Sequence, residues 1–340
     1  MKPTVYIERL EPTELEVAAQ FDRSLVAIGL AERVESLKTV LIKPNLTYPV
    51  YKEGVTTRPE FVRHLVGALL RAKRNLKIFI GEGEGGYNSF SMSEAMRRIG
   101  FADIAEEYPH VELVNLSKVP SRSVELRTLK GPYTIDLPEI FFKDVDCSIS
   151  CPLPKVHCMT TLTLSLKNLW GCLPDVMRLK NHYMFPHIIS NVWKLLKFEY
   201  AFLDGKYGLT SNGPMEGEVV EVNWFVASNS LGAFDAIVAQ LMGFEWSAIR
   251  HLSIAERYGC VPSEKEVEVI GDLQRLQRKF QLKRNFWNYP ALVAFHSKQL
   301  THFFYLSRSA ALLHGIMYLV RKRPIPPELG GQHAHSDLNV

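Results

Sequence analysis

Short runs rich in β-branched and aromatic residues alternate along this chain with longer stretches whose apolar side chains recur every third or fourth position. The runs are 38–43 (KTVLIK), 76–81 (LKIFIG), 111–116 (VELVNL), 146–151 (DCSISC), 199–204 (EYAFLD) and 222–227 (VNWFVA). Around them the spacing predicts helices over 13–32, 59–74, 91–107, 161–170, 186–197, 231–243 and 247–258. Leu65, Leu69 and Ala72 share one helical face, as do Phe234, Val238 and Leu241. Strands joined by crossover helices run parallel, and both faces of such a sheet must be covered. The expected fold class is therefore α/β, a largely parallel sheet with helices on both faces. Pro120, Gly131, Pro132 and Pro138 punctuate two short alternating runs, so 120–138 reads as an inserted β-hairpin.

After Gly271 the strand pattern stops. From Leu273 to Pro327 the chain carries ten basic residues and no Asp or Glu. Helices are expected near 273–285 and 297–322, the second with a stripe of Leu306, Ala310, Leu313, Met317 and Val320. This segment either docks on the domain or meets an anionic partner such as a membrane surface or a nucleic acid. Phe280, Phe286, Trp287 and Tyr289 interleave with its basic residues, as on such surfaces. The expected organisation is a 1–272 α/β domain, a 273–324 basic, aromatic helical extension and a 325–340 flexible tail. Lys and Arg (40) exceed Asp and Glu (36) by too little to require a polyanionic partner for the whole chain.

The first residues, MKPTVYIERLEPTELEV, place acids where a secretory signal needs an apolar stretch, so a cytoplasmic location is expected. The longest apolar run, Phe303 to Val320, is broken by Arg308 and His314 and falls short of a membrane span. The five cysteines, an odd number, are expected as reduced, buried thiols. Cys147, Cys151, Cys158 and Cys172 fit neither paired zinc spacings nor a ferredoxin run, so an intrinsic iron–sulfur cluster is not expected.

In open parallel sheets ligands bind beyond the carboxyl ends of the strands. Those ends carry Lys43 and Asn45, then Glu82 and Glu84, then Lys155 and His157, then Asp204. In PKVHCMTTLTLSLKNLWGCLP (154–174), Thr160 or Thr161 can N-cap a helix that buries Leu162, Leu166, Leu169 and Trp170. Lys167 and Asn168 then fall on the opposite face, with Gly171 one turn on, where a missing side chain lets a ligand approach the backbone. Lysines at both ends of one short helix suggest a phosphate or carboxylate ligand. Arg178 and His182 follow closely, and either His157 or His182 could handle protons or bind a ligand. Glu82, Glu84 and Asp204 offer hard oxygen ligands for a divalent metal such as Mg²⁺, or one of them a base. The string GEGEGG (81–86) matches a dinucleotide fingerprint literally, but its glutamates would face the pyrophosphate and the next helix starts late.

LIKPN (41–45), TTRPE (56–60), IGEG (80–83), PKVH (154–157), TLSLKNLWG (163–171), the DG of 204–205, Gly213–Pro214, and the AS of 227–228 with Asp235 resemble the family called domain of unknown function 362. The resemblance runs from about 38 to 271. It implies redox work for some members, which are joined to ferredoxin-like iron–sulfur segments; here the electron carrier would be a separate ferredoxin-like protein. The residues leave three functions open. One is an enzyme in which Lys43, Lys155, Lys167 and Arg178 bind an anion, His157 or His182 moves protons, and Glu82 or Asp204 holds a metal or acts as base. The others are a non-catalytic ligand or metal carrier using that pocket, and a peripheral membrane or nucleic-acid adaptor led by 273–327.

Overall fold

The computed structural model describes residues 2–85, 90–310, 312–314, 316, 325–326 and 328–329. Its strands are β1 (Thr4–Arg9), β2 (Thr39–Lys43), β3 (Lys77–Glu82), β4 (Val111–Asn115), β5 (Ser121–Thr128), β6 (Gly131–Pro138), β7 (Cys147–Ser150), β8 (Lys155–His157), β9 (Thr161–Thr163), β10 (Phe198–Thr210), β11 (Glu218–Ser228) and β12 (Glu268–Ile270). The main sheet runs β12-β1-β11-β10-β7-β2-β3-β4. Strands β10, β7, β2, β3 and β4 are parallel, and β11 is antiparallel to both β10 and β1. β5 and β6 form the separate hairpin expected over 120–138.

Side chains on successive strand residues enter opposite cores. Val40, Ile42, Ile78 and Ile80 face the helices Glu14–Ala27, Pro59–Ala72 and Met92–Ile99. Leu41, Phe79, Trp224 and Val226 face Phe185–Leu195, Leu231–Leu241 and Arg250–Arg257. The α/β architecture with helices on both faces thus follows from central strands β2, β3 and β7 that are buried at nearly every position, as sheets covered on two sides require.

Three local readings need correction. Residues 161–170 are not one helix: Thr161 has φ 69° at the turn between β8 and β9, and only Ser165–Asn168 is α-helical, followed by a 3-10 turn over Leu169–Cys172. Neither Thr160 nor Thr161 caps it. The buried Asp235 carboxylate does, accepting from Ser165 N (2.7 Å), Ser165 Oγ (2.6 Å) and Leu166 N (3.0 Å). The helix expected at 273–285 stops at Leu276. Beyond it the backbone satisfies other groups: Arg278 N and Phe280 N donate to Leu241 O and Met242 O at the end of helix Leu231–Leu241, and Gln281 and Lys283 bond to Ser211. Helices Asn288–His296 and Lys298–Tyr305 follow, so the second expected helix begins near 297 and breaks over 306–309, with helical residues again at Ala310, 312–314 and Ile316. Met317, Val320 and most of the 325–340 tail lie outside the described residues.

Candidate functional site

Beyond the carboxyl ends of β2, β3 and β7 lies a cavity of about 590 Å³, within the range of small-molecule sites. Ten of the expected residues line it: Lys43, Asn45, Glu82, His157, Lys167, Asn168, Gly171, Arg178, His182 and Gly213. The rest of the wall is largely apolar and aromatic, including Trp170, Phe185, Trp287 and Phe295.

Part of the polar set is a buried scaffold. Lys43 Nζ donates to Glu82 Oε2 (2.7 Å), Asn168 Oδ1 (3.0 Å) and Pro44 O (3.0 Å), which uses all three of its donors. Asn168 Nδ2 reaches Lys43 O and Ser150 Oγ, while its Oδ1 also accepts from Asn45 Nδ2. Gly171 closes this pair from above. A Cβ there would stand 2.2 Å from Glu82 Oε1 and 2.8 Å from Lys43 Nζ, so the glycine admits the ion pair and not a ligand. At Gly213 the neighbour is the backbone of β8, with a Cβ falling 1.8 Å from Val156 O.

Lys155 does not line the cavity. It is fully buried, donating to Asn45 Oδ1 (2.7 Å), Thr47 Oγ1 (2.9 Å) and Val55 O (2.7 Å). Burial, then the nearby Lys167 charge, holds its ammonium well below the ordinary lysine range. It ties the segment after β2 to β8 and is not positioned to touch a ligand.

The three expected metal ligands do not converge. Glu82 is paired with Lys43; Glu84 accepts from Asn115 Nδ2 (2.8 Å) and Met92 N (3.3 Å); Asp204 accepts from Arg58 N (2.7 Å) and Nε (2.8 Å). Among the described residues no three His, Cys, Asp or Glu side chains are grouped to hold a metal. Gly83 and Gly85 of the GEGEGG string pack against Gly171 O and the Arg178 guanidinium. Thr160 bonds the Leu162 carbonyl and Thr161 opens β9 opposite His157, both outside the cavity wall. The five cysteines are buried, with no disulfide among the described residues.

The remaining polar groups are presented to the cavity. Among the described residues no side chain or carbonyl hydrogen-bonds or ion-pairs with Lys167; its Nζ lies 5.5 Å from the centre of the Phe185 ring. Burial, with Arg178 and Lys43 nearby and Cys158 opposing, lowers its pKa to about 8. Arg178 Nη1 donates to Leu173 O (3.1 Å) and to Glu84 O, with no carboxylate in contact, and burial pulls the guanidinium below its ordinary range. His157 Nδ1 accepts from Met159 N (3.1 Å), so the neutral ring carries its proton on Nε2. Burial and then Lys167 hold this imidazole well below its ordinary pKa. His182 is stacked on Trp170 and packed 4.6 Å from Phe295, its Nδ1 buried without a partner, and burial lowers it to about 3.

Two further cavity groups escape a sequence reading, Thr163 Oγ1 and Asn212 Oδ1, both buried without a hydrogen bond. Thr163 lies within the TLSLKN string, but its orientation depends on the unforeseen β9. Nothing in the sequence marks Asn212.

The chain resembles Thylakoid-associated protein sll1697 of Synechocystis sp., 27% identical over 254 residues, covering 70% of this chain and 74% of that protein. Among solved structures, the lactate racemase apoprotein of Thermoanaerobacterium thermosaccharolyticum aligns with TM-score 0.48 at 12% identity, over 70% of this chain and 57% of that one. A Thermotoga maritima protein aligns with TM-score 0.39, also at 12% identity, over 73% and 59%. The chain thus spans less than two thirds of either structure. The family model described as domain of unknown function (DUF362) matches residues 40–240, and the chain belongs to that family.

Proposed function

We propose that this protein binds an amphiphilic anion, a carboxylate or phosphate carrying an apolar body, in the cavity beyond β2, β3 and β7. The observation that carries this reading is an ammonium, Lys167, without a counter-ion among the described residues in a largely apolar chamber. A charge drawn partly out of water, as on the half-buried Lys167, is costly unless it is paired, so a ligand bringing the opposite charge is favoured there. Arg178 adds a second positive charge whose direct hydrogen bonds go to carbonyls, with the carboxylates of Glu82, Asp175 and Glu84 acting on it from further off, and His157 offers Nε2–H as a neutral donor. The Lys43–Glu82–Asn168 network and the Lys155 strut fix the floor against which these groups are held.

With Lys167 titrating near 8, the site can also exchange a proton with a bound molecule near neutral pH. Trp170 and Trp287 line the cavity, so occupancy is readable by intrinsic fluorescence. Laurate is expected to bind; dodecanol, which lacks the charge, and acetate, which lacks the apolar body, are each expected to bind at least tenfold more weakly. Equal affinity for laurate and dodecanol, or no binding of either, would overturn the reading.

A further inference from the structure

The segment that roofs the cavity is apolar on both sides. Inward, Ala294 and Phe295 are buried, with Phe295 against His182 and Phe185. Outward, Phe286 (76% exposed), Tyr289, Val293, Phe303, Leu312 (67%) and Ile316 stand in solvent. Of the fifteen large apolar side chains exposed among the described residues, eight fall between 286 and 316. Helix Asn288–His296 is apolar around its circumference, a pattern of helices immersed on all sides. Tyr289 and Val293, one turn apart, share its outer face.

While the exposed Glu216 lines the cavity on the facing side, the charge within this segment is of one sign. Lys283, Lys298 and Arg308 are exposed there, and Leu273 to Pro327 contains no acid to balance them. Aromatic and aliphatic side chains set among unbalanced cations suit the boundary of an anionic bilayer, where rings enter the headgroup layer and cations meet lipid phosphates. No helix among the described residues is long and apolar enough to cross a membrane, so the contact would be peripheral. We infer that the outer face of residues 286–316 docks on a membrane surface bearing anionic lipids. This inference does not rest on the ligand assigned to the cavity.

The test is co-sedimentation of the full chain with vesicles of phosphatidylcholine alone or mixed with phosphatidylglycerol. Partitioning is expected onto the anionic vesicles, weakening as salt is raised. F286S/Y289S/V293S should lower it at least tenfold while circular dichroism and Tm stay unchanged. K283E/K298E/R308E should abolish the preference for anionic vesicles. Absence of binding to anionic vesicles, or equal binding to neutral ones, would overturn the inference. So would light scattering showing that the apolar triple variant instead dissociates a dimer, or salt-sensitive binding of single-stranded RNA without binding of vesicles.

Discussion

Raising the pH should release an anionic ligand in step with the titration of Lys167. Without a counter-charge against Nζ this ammonium loses its proton near pH 8. A carboxylate against Nζ stabilises the charged form, so the bound-state pKa lies higher. A charge-assisted hydrogen bond of about 1.5–3 kcal/mol corresponds to roughly one to two pH units, placing the bound value near 9 to 10. Below about pH 8 the ammonium is present with and without ligand and affinity is level. Between the two values binding takes up a proton, so affinity falls towards tenfold per unit. From about pH 7.5 to 9.5 the loss is roughly tenfold. Laurate keeps its charge over this range, and calorimetry in buffers of different ionisation enthalpy counts the proton directly. K167Q should bind roughly ten- to a hundredfold more weakly at neutral pH and show a flat profile. A flat profile for the wild type, or an unchanged slope in K167Q, would refute the reasoning.

Lys155→Met removes the donor shared by Asn45 Oδ1, Thr47 Oγ1 and Val55 O; urea unfolding should show a loss of about 3 kcal/mol or more. Gly171→Ala drives a methyl into the Lys43–Glu82 pair and should cost roughly 3–5 kcal/mol, read as a lowered Tm. His182 has a folded pKa depressed to about 3, so the unfolded chain binds its proton first and stability falls as pH drops from the unfolded value of 6.5 towards 3. Its share is about 1.4 kcal/mol per pH unit, and Asp235, raised from 3.8 to about 7, acts in the opposite direction over part of that range. H182F should flatten the acid limb of the Tm-against-pH curve; an unaltered limb would remove His182 from the account.

The rule that ligands gather beyond parallel strand ends was enough to bring Lys43, Glu82 and His157 together from distant parts of the chain. It could not tell a strut from a ligand group. Lys43, Lys155 and Lys167 look alike in sequence, yet the first is ion-paired, the second is enclosed by three neutral oxygens and only the third is left to the cavity. Asp204 fails as a metal ligand because Arg58, from a remote loop, satisfies it. The misread helix at 161–170 has the same cause. Its leucines fit a helical face, while the buried Asp235 that starts the helix four residues later comes from another element. β1 was not expected because its position beside β11 rests on pairing across more than two hundred residues.

The hydrogen bonds from Arg278 and Phe280 to the end of helix Leu231–Leu241 make the basic extension inseparable from the domain it crosses. Severing the chain after Gly271 would orphan the Leu241 and Met242 carbonyls, expose Trp224 where Phe280 packs on it, and unroof the chamber at once. A truncated protein would thus lose integrity, ligand and surface attachment together. Dissecting them calls for substitutions confined to the solvent-facing side of an intact roof.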